Sequence, residues 1–132
     1  MTSPNFLAAS LYVAIGGAAG AWLRFLIAEL YSRSIAAGAF PWATLTVNLA
    51  GSLAMGLLAG WLARHGSAGE PWRLLLGVGV LGGFTTFSAF SLELALLIER
   101  GSMLAAFSYA AISVLAGLAA LFAGLTMMRV AA

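Results

Sequence analysis

An all-α membrane protein with four transmembrane helices per subunit is the fold the sequence predicts, on three observations. The chain of 132 residues is 63% hydrophobic and 8% charged, with a mean hydropathy of +1.05. A soluble domain carries about 25% charged residues, so this chain lacks the polar side chains to cover a water-facing surface. Its apolar stretches also reach the roughly 20 residues that a hydrocarbon core requires. Short clusters of glycine, proline and charge separate them.

The first stretch, about 5–30, contains Ala18-Ala19-Gly20, which loosely imitates a secretory cleavage region. No positive charge precedes it and the apolar run continues to Leu30, so it reads as a retained span. Gly38 and Pro41 introduce the second span, 42–63; Gly66 to Pro71 introduce the third, 74–98; Glu99-Arg100-Gly101 introduce the fourth, 103–128. Links this short predict one domain over 1–132, an up-down bundle. Small residues recur four apart at Gly16/Gly20, Gly56/Gly60, Gly79/Gly83 and Ala120/Gly124, spacings that let spanning helices approach closely. Trp22, Trp42, Trp61 and Trp72 fall near predicted span ends, as in an interfacial belt.

Charge excludes several classes of function. The six cations are all arginine and form no basic stripe, so no nucleic-acid footprint exists. The chain has no cysteine, which removes disulfides and thiolate metal sites. No nucleophile–base pair, phosphate loop or His/Glu metal cluster appears, and an enzyme is not predicted. The N-terminus, Arg64, Arg73 and Arg129 share one predicted side; Arg33 and Arg100 share the other, with Arg24 if it snorkels there. The positive-inside rule needs a lopsided count to fix orientation. With none, the expectation is insertion both ways up and pairing as an antiparallel, dual-topology homodimer.

The third span carries Gly82-Gly83-Phe84-Thr85-Thr86-Phe87-Ser88-Ala89-Phe90. Paired glycines weaken a helix, and irregular backbone at membrane depth survives only inside protein or beside a polar cavity. The third helix is therefore expected to break at Gly82–Thr86. Spacing by three predicts a Phe84/Phe87/Phe90 stripe beside a Thr85/Ser88/Ser91 stripe. Ring edges are electropositive and hydroxyls donate, which suits an anion; ordinary core packing and back-bonding serines are the alternative.

Other polar residues lie at membrane depth. Asn48 can donate to an anion or tie two helices together; an unbonded amide in hydrocarbon is costly. Ser102, Tyr109 and Ser113 share a helical face and can extend a hydroxyl track or simply pack. Glu93 is the one acid well inside a span, and such carboxylates are functional candidates by default. Arg24 snorkels or caps carbonyls rather than gating. His65 receives no role.

These residues resemble a known family. Gly16-Gly17-Ala18-Ala19-Gly20-Ala21 with Arg24, Thr46-Val47-Asn48 with Gly51-Ser52, and the third-span motif with Glu93 are similar, in order, to the CrcB/Fluc fluoride channels. The resemblance implies a dual-topology homodimer in the bacterial inner membrane with two antiparallel pores. It implies passive fluoride export that lowers cytoplasmic fluoride, and a central Na⁺ that is structural and not transported. It would put that Na⁺ on the backbone carbonyls of Gly82 and Thr85 from both subunits. It would make Phe87 and Phe90 the edge-on fluoride-coordinating rings, Asn48 and Ser88 pore-lining donors, and Tyr109 and Ser113 the fourth-span track. Arg24 would stand near the entry vestibule and Glu93 near the pathway. Two positions depart from the pattern: Ala89 stands where many relatives have threonine, and Gly117 offers no hydroxyl one turn beyond Ser113.

Two competing readings remain at this stage. One is a small proton-coupled exporter of cationic drugs, also a four-span antiparallel dimer, with Glu93 as its carboxylate. The other is a non-transporting assembly subunit, which leaves Asn48 and the third-span motif unexplained.

Overall fold

The computed structural model describes residues 4–34 and 40–130. Helix α1 spans Phe6–Ser34, α2 spans Trp42–His65, α4 spans Phe87–Glu99 and α5 spans Met103–Val130. Helix α3 covers 70–84 and is composite: Glu70–Trp72, a π-helical stretch Arg73–Leu81, then Gly82–Phe84. No strand occurs among the described residues. Three stretches are long and apolar enough to cross a membrane: Phe6–Ser34, Trp42–Glu99 and Met103–Val130. The chain is thus a multi-pass, all-helical membrane protein.

The middle stretch has 58 residues, which would extend roughly 90 Å as one straight helix. Instead it doubles back. A 3₁₀ turn, Gly66–Gly69, follows α2, and Gly66 adopts φ 49°, which a side chain disfavours. Pro71 then opens α3 in its first turn, where a missing N–H costs nothing. The predicted link to Pro71 is therefore shorter in the structure. Gly101, φ 74°, makes the turn between α4 and α5; the amides of Gly101 and Ser102 close on the carbonyls of Ile98 and Leu97. Gly38, expected at the first connection, lies outside the described residues.

Glycines set the helix register. A Cβ on Gly20 would collide with the Val80 carbonyl, and one on Gly16 with the Leu75 carbonyl. A Cβ on Gly83 would meet Gly17. Positions rise together, so α1 and α3 run parallel. The same holds for α2 and α5, where Gly56 faces Leu121, Gly124 faces Leu53 and Leu57, and Gly60 faces Met128. Glycine in a helix costs about 1 kcal/mol relative to alanine; here all but Gly60, whose neighbour is the Met128 side chain, remove a backbone clash and bring main chains into contact.

The break differs from the expectation in its cause. Gly82 and Gly83 are helical, and Gly82 has φ −64° and ψ −38°. The chain leaves the helix at Thr85 (ψ 157°) and Thr86 (φ −149°, ψ 125°). Gly83 permits close packing on α1, and the two threonines form the break. Because Phe84 and Thr85 precede the break while Phe87, Ser88 and Ser91 follow it, the two predicted stripes do not run as one helical surface. Thr85 and Ser91 hydroxyls donate to the Leu81 and Phe87 carbonyls, 2.8 and 2.9 Å, the back-bonding alternative.

Candidate functional site

A break in a membrane helix strands backbone donors and acceptors, and each must find a partner. Here three helices supply them. The Asn48 amide, from α2, bonds Thr86 at both ends: Nδ2 donates to the Thr86 carbonyl at 3.0 Å and Oδ1 accepts the Thr86 N–H at 2.8 Å. Arg24 Nε, from α1, donates to the Gly83 carbonyl at 3.1 Å. The Leu81 carbonyl accepts the Thr85 N–H at 3.0 Å. Thr86 Oγ1 caps α4 by accepting from the Ala89 N–H at 3.1 Å, the expected N-cap role of threonine.

Some groups stay free. The carbonyls of Gly82 and Thr85 have no hydrogen-bond partner among the described residues. The N–H groups of Phe87 and Ser88, first in α4, precede any intrahelical acceptor. That terminus carries the positive end of the helix dipole. Beside it lies an open groove of about 340 Å³, lined by Asn48, Ser52, Thr85, Thr86, Phe87, Phe90 and Ser113 among others. Four of the six expected pore residues, Asn48, Phe87, Phe90 and Ser113, thus meet at one place. Ser113 Oγ is buried and has no hydrogen-bond partner.

The other expected residues stand around it. Phe87 is 80% exposed and leans on Phe90, ring centroids 5.7 Å apart. Phe90 rests on Tyr109 at 5.0 Å. Tyr109 is fully buried and so backs the groove wall rather than lining it. Its hydroxyl donates to Glu93 Oε2 at 2.7 Å, and Thr44 Oγ1 donates to Glu93 Oε1 at 2.7 Å. Ser88 is exposed on the far flank and lies 3.3 Å from Thr86 Oγ1. Ser102 is exposed ahead of α5 and lies off this cluster.

Sequence reasoning gave Thr44, Thr86 and Ser52 no site role of their own. Thr44 and Ser52 lie four residues either side of Asn48, which places all three on one face of α2; that spacing was the available signal. Thr86 carried a helix-start signal, a hydroxyl residue ahead of an apolar run. His65, left without a role, stacks on Trp61 at 4.0 Å and bonds its carbonyl, a local closure of the α2 end. Among the described residues no three His, Asp or Glu side chains converge on a metal site.

Fold and groove together define a class: a multi-pass membrane protein with a polar groove at a helix break. The chain belongs to the CrcB-like family, since the model for "CrcB-like protein, Camphor Resistance (CrcB)" matches residues 11–125. A protein of Novosphingobium aromaticivorans named "Fluoride-specific ion channel FluC" is 58% identical over 124 residues, 93% of this chain and 98% of its own. One of the same name from Hyphomonas neptunium is 56% identical over 120 residues, covering 90% and 94% of the two chains. Another from Caulobacter vibrioides is 52% identical over 120 residues with the same coverage. These relatives are ion channels by name, not enzymes.

Proposed function

We propose that the chain is a fluoride channel that lets F⁻ leave the cytoplasm passively, through pores built with a second, antiparallel copy. The observation that carries this is the groove at the break, where two phenylalanine rings, hydroxyls and the N-terminal end of α4 converge with no cation among the lining residues. Fluoride is small and strongly hydrated, and a bare ion in low dielectric costs tens of kcal/mol before compensation. Donors and electropositive ring edges replace part of the lost water. None of them holds the ion as tightly as an arginine would, so release remains feasible.

In this reading the chain crosses the membrane four times. The support is the antiparallel register of α2 against 70–99: Asn48 meets Thr86, Leu58 meets Gly77, and Leu62 meets Gly69. The near-balance of arginines between the two ends supports insertion both ways up. The exposure of Phe87 and the openness of the groove favour a second copy that closes the wall. The inner membrane of a bacterium is the expected location.

The Na⁺ of this reading would rest on the Gly82 and Thr85 carbonyls of both copies. The donor chemistry fits, because these are hard oxygen dipoles without a hydrogen-bond partner among the described residues, as is that of Phe84, whereas the carbonyls of Gly83, Leu81 and Thr86 are taken by Arg24, Thr85 and Asn48. Bound there, the ion would supply a fixed positive charge near the pathway. Glu93 favours a channel over a proton-coupled exporter, since both carboxylate oxygens are already held by Thr44 and Tyr109.

Fluoride efflux from proteoliposomes tests the proposal, with chloride as comparison and with Na⁺ present or withheld. Fluoride flux far above chloride is expected, and Phe87→Ile or Phe90→Ile should abolish it while the purified dimer persists. Equal F⁻ and Cl⁻ rates, or none, refute it.

A further inference from the structure

Hydroxyls on spanning helices usually donate to the carbonyl four residues back. Ser10, Ser34, Ser91 and Thr126 all do so, at 2.7 to 2.9 Å. Ser113 does not, and its buried oxygen has no partner. Ser52, halfway along α2, makes no such bond either, and both serines line the groove. Their remaining neighbours in the lining farther along, Met55, Val114 and Leu121, are apolar. Two serines therefore line one space, and neither hydroxyl has a protein partner among the described residues.

Gly117 shows how the two helices share that space. A Cβ on Gly117 would stand 3.6 Å from Ser52 Oγ and 4.0 Å from Leu49 Cδ2, ordinary contact distances. The Ser52 hydroxyl on α2 thus occupies the place that a short side chain on α5, one turn beyond Ser113, would reach. The donor missing at Gly117 is supplied from the opposite helix.

The geometry points to Ser52 as a further anion-contacting residue: with Ser113 it forms a two-hydroxyl station for a small, strongly hydrated anion, one turn along α2 from Asn48. This rests on the channel reading above and extends it along the groove. The station suits fluoride because each hydroxyl presents one compact donor. It binds weakly because no full charge faces the ion, which permits onward movement.

Fluoride efflux from proteoliposomes, with Cl⁻ flux alongside, tests it in the full-length chain. Ser52→Ala should lower F⁻ flux about tenfold or more, the order of effect of losing a hydrogen bond to a charged group. Gly117→Ala alone should conduct like the parent, since a Cβ there stands at ordinary contact distances. Combined, Ser52→Ala with Gly117→Ser should restore flux to within about twofold, because the hydroxyl returns from α5 to nearly the same point. Unchanged flux in Ser52→Ala overturns the assignment, as does a loss that Gly117→Ser leaves unrepaired, which would make Ser52 a packing residue. Either result with Phe87→Ile still inactive sinks only the station. A parent chain that conducts no fluoride sinks the channel reading and the station with it.

Discussion

Replacing Asn48 with alanine should destabilise the folded protein by about 2 kcal/mol, a balance of hydrogen-bond terms. The amide makes two bonds to Thr86, at 2.8 and 3.0 Å. A buried N–H left unpaired costs about 1–3 kcal/mol, and the loss of an ordinary bond to the carbonyl costs about 0.5–1.5 kcal/mol. Hydrogen bonds between membrane helices average only about 0.6 kcal/mol, since the unfolded chain in the bilayer finds other partners. That discount is weaker here, because Thr86 sits in extended backbone with no carbonyl of its own helix to turn to. Water entering the groove beside Thr86 returns part of the loss. Reversible unfolding in mixed detergent micelles reads the difference. Asn48→Asp should not recover it: one oxygen can still accept the Thr86 N–H, but the other faces the Thr86 carbonyl. A loss below about 0.5 kcal/mol, the size of an ordinary surface substitution, would refute the view that Asn48 holds the break together.

Gly20→Ala should cost about 1–3 kcal/mol as overpacking, because its Cβ would meet the Val80 carbonyl and stand 2.8 Å from the Phe84 nitrogen; the same unfolding assay reads it, and unchanged stability would contradict the close α1–α3 approach. In Glu93→Gln a single amide oxygen replaces two acceptors. One of the Thr44 and Tyr109 O–H groups then loses its acceptor, at up to about 1–3 kcal/mol less what the new amide N–H returns by donating to that hydroxyl, while passive F⁻ flux should remain appreciable at every pH measured. Tyr109→Phe and Glu93→Gln should be non-additive in a double-mutant cycle, as neighbours in one network are; strict additivity would argue against the 2.7 Å bond between them.

The membrane class and the helix positions were legible because they depend on composition and period alone. The four spans read from the sequence fall within three long apolar stretches, the second and third both inside Trp42–Glu99, and the small-residue spacings at Gly16/Gly20 and Gly56/Gly60 fall at helix contacts. The location of the break was legible to within a few residues, but its cause was not. Helix propensity counts Gly82 and Gly83 as weak points, yet both stay helical, Gly83 packed against Gly17. Thr85 and Thr86 leave the helix because Asn48 and Arg24 satisfy what they abandon, a pairing across 38 and 59 residues of sequence. No local pattern reports such a partner. Of the two readings open for Asn48, the helix tie is visible in the single chain, and one amide N–H remains for a ligand. For Arg24, the carbonyl cap is what the structure shows. Thr44 and Ser52 were reachable from the i±4 spacing about Asn48, had the face rather than the lone amide been read.

The order of those long-range ties along the polypeptide has a consequence for biogenesis. Arg24 and Asn48 both precede Thr85 in the chain, and synthesis delivers N-terminal segments first. By the time the ribosome releases the discontinuous span, the guanidinium and the carboxamide that will receive its bare peptide groups are already within the bilayer. The costliest stretch of main chain thus enters lipid with its receptors waiting.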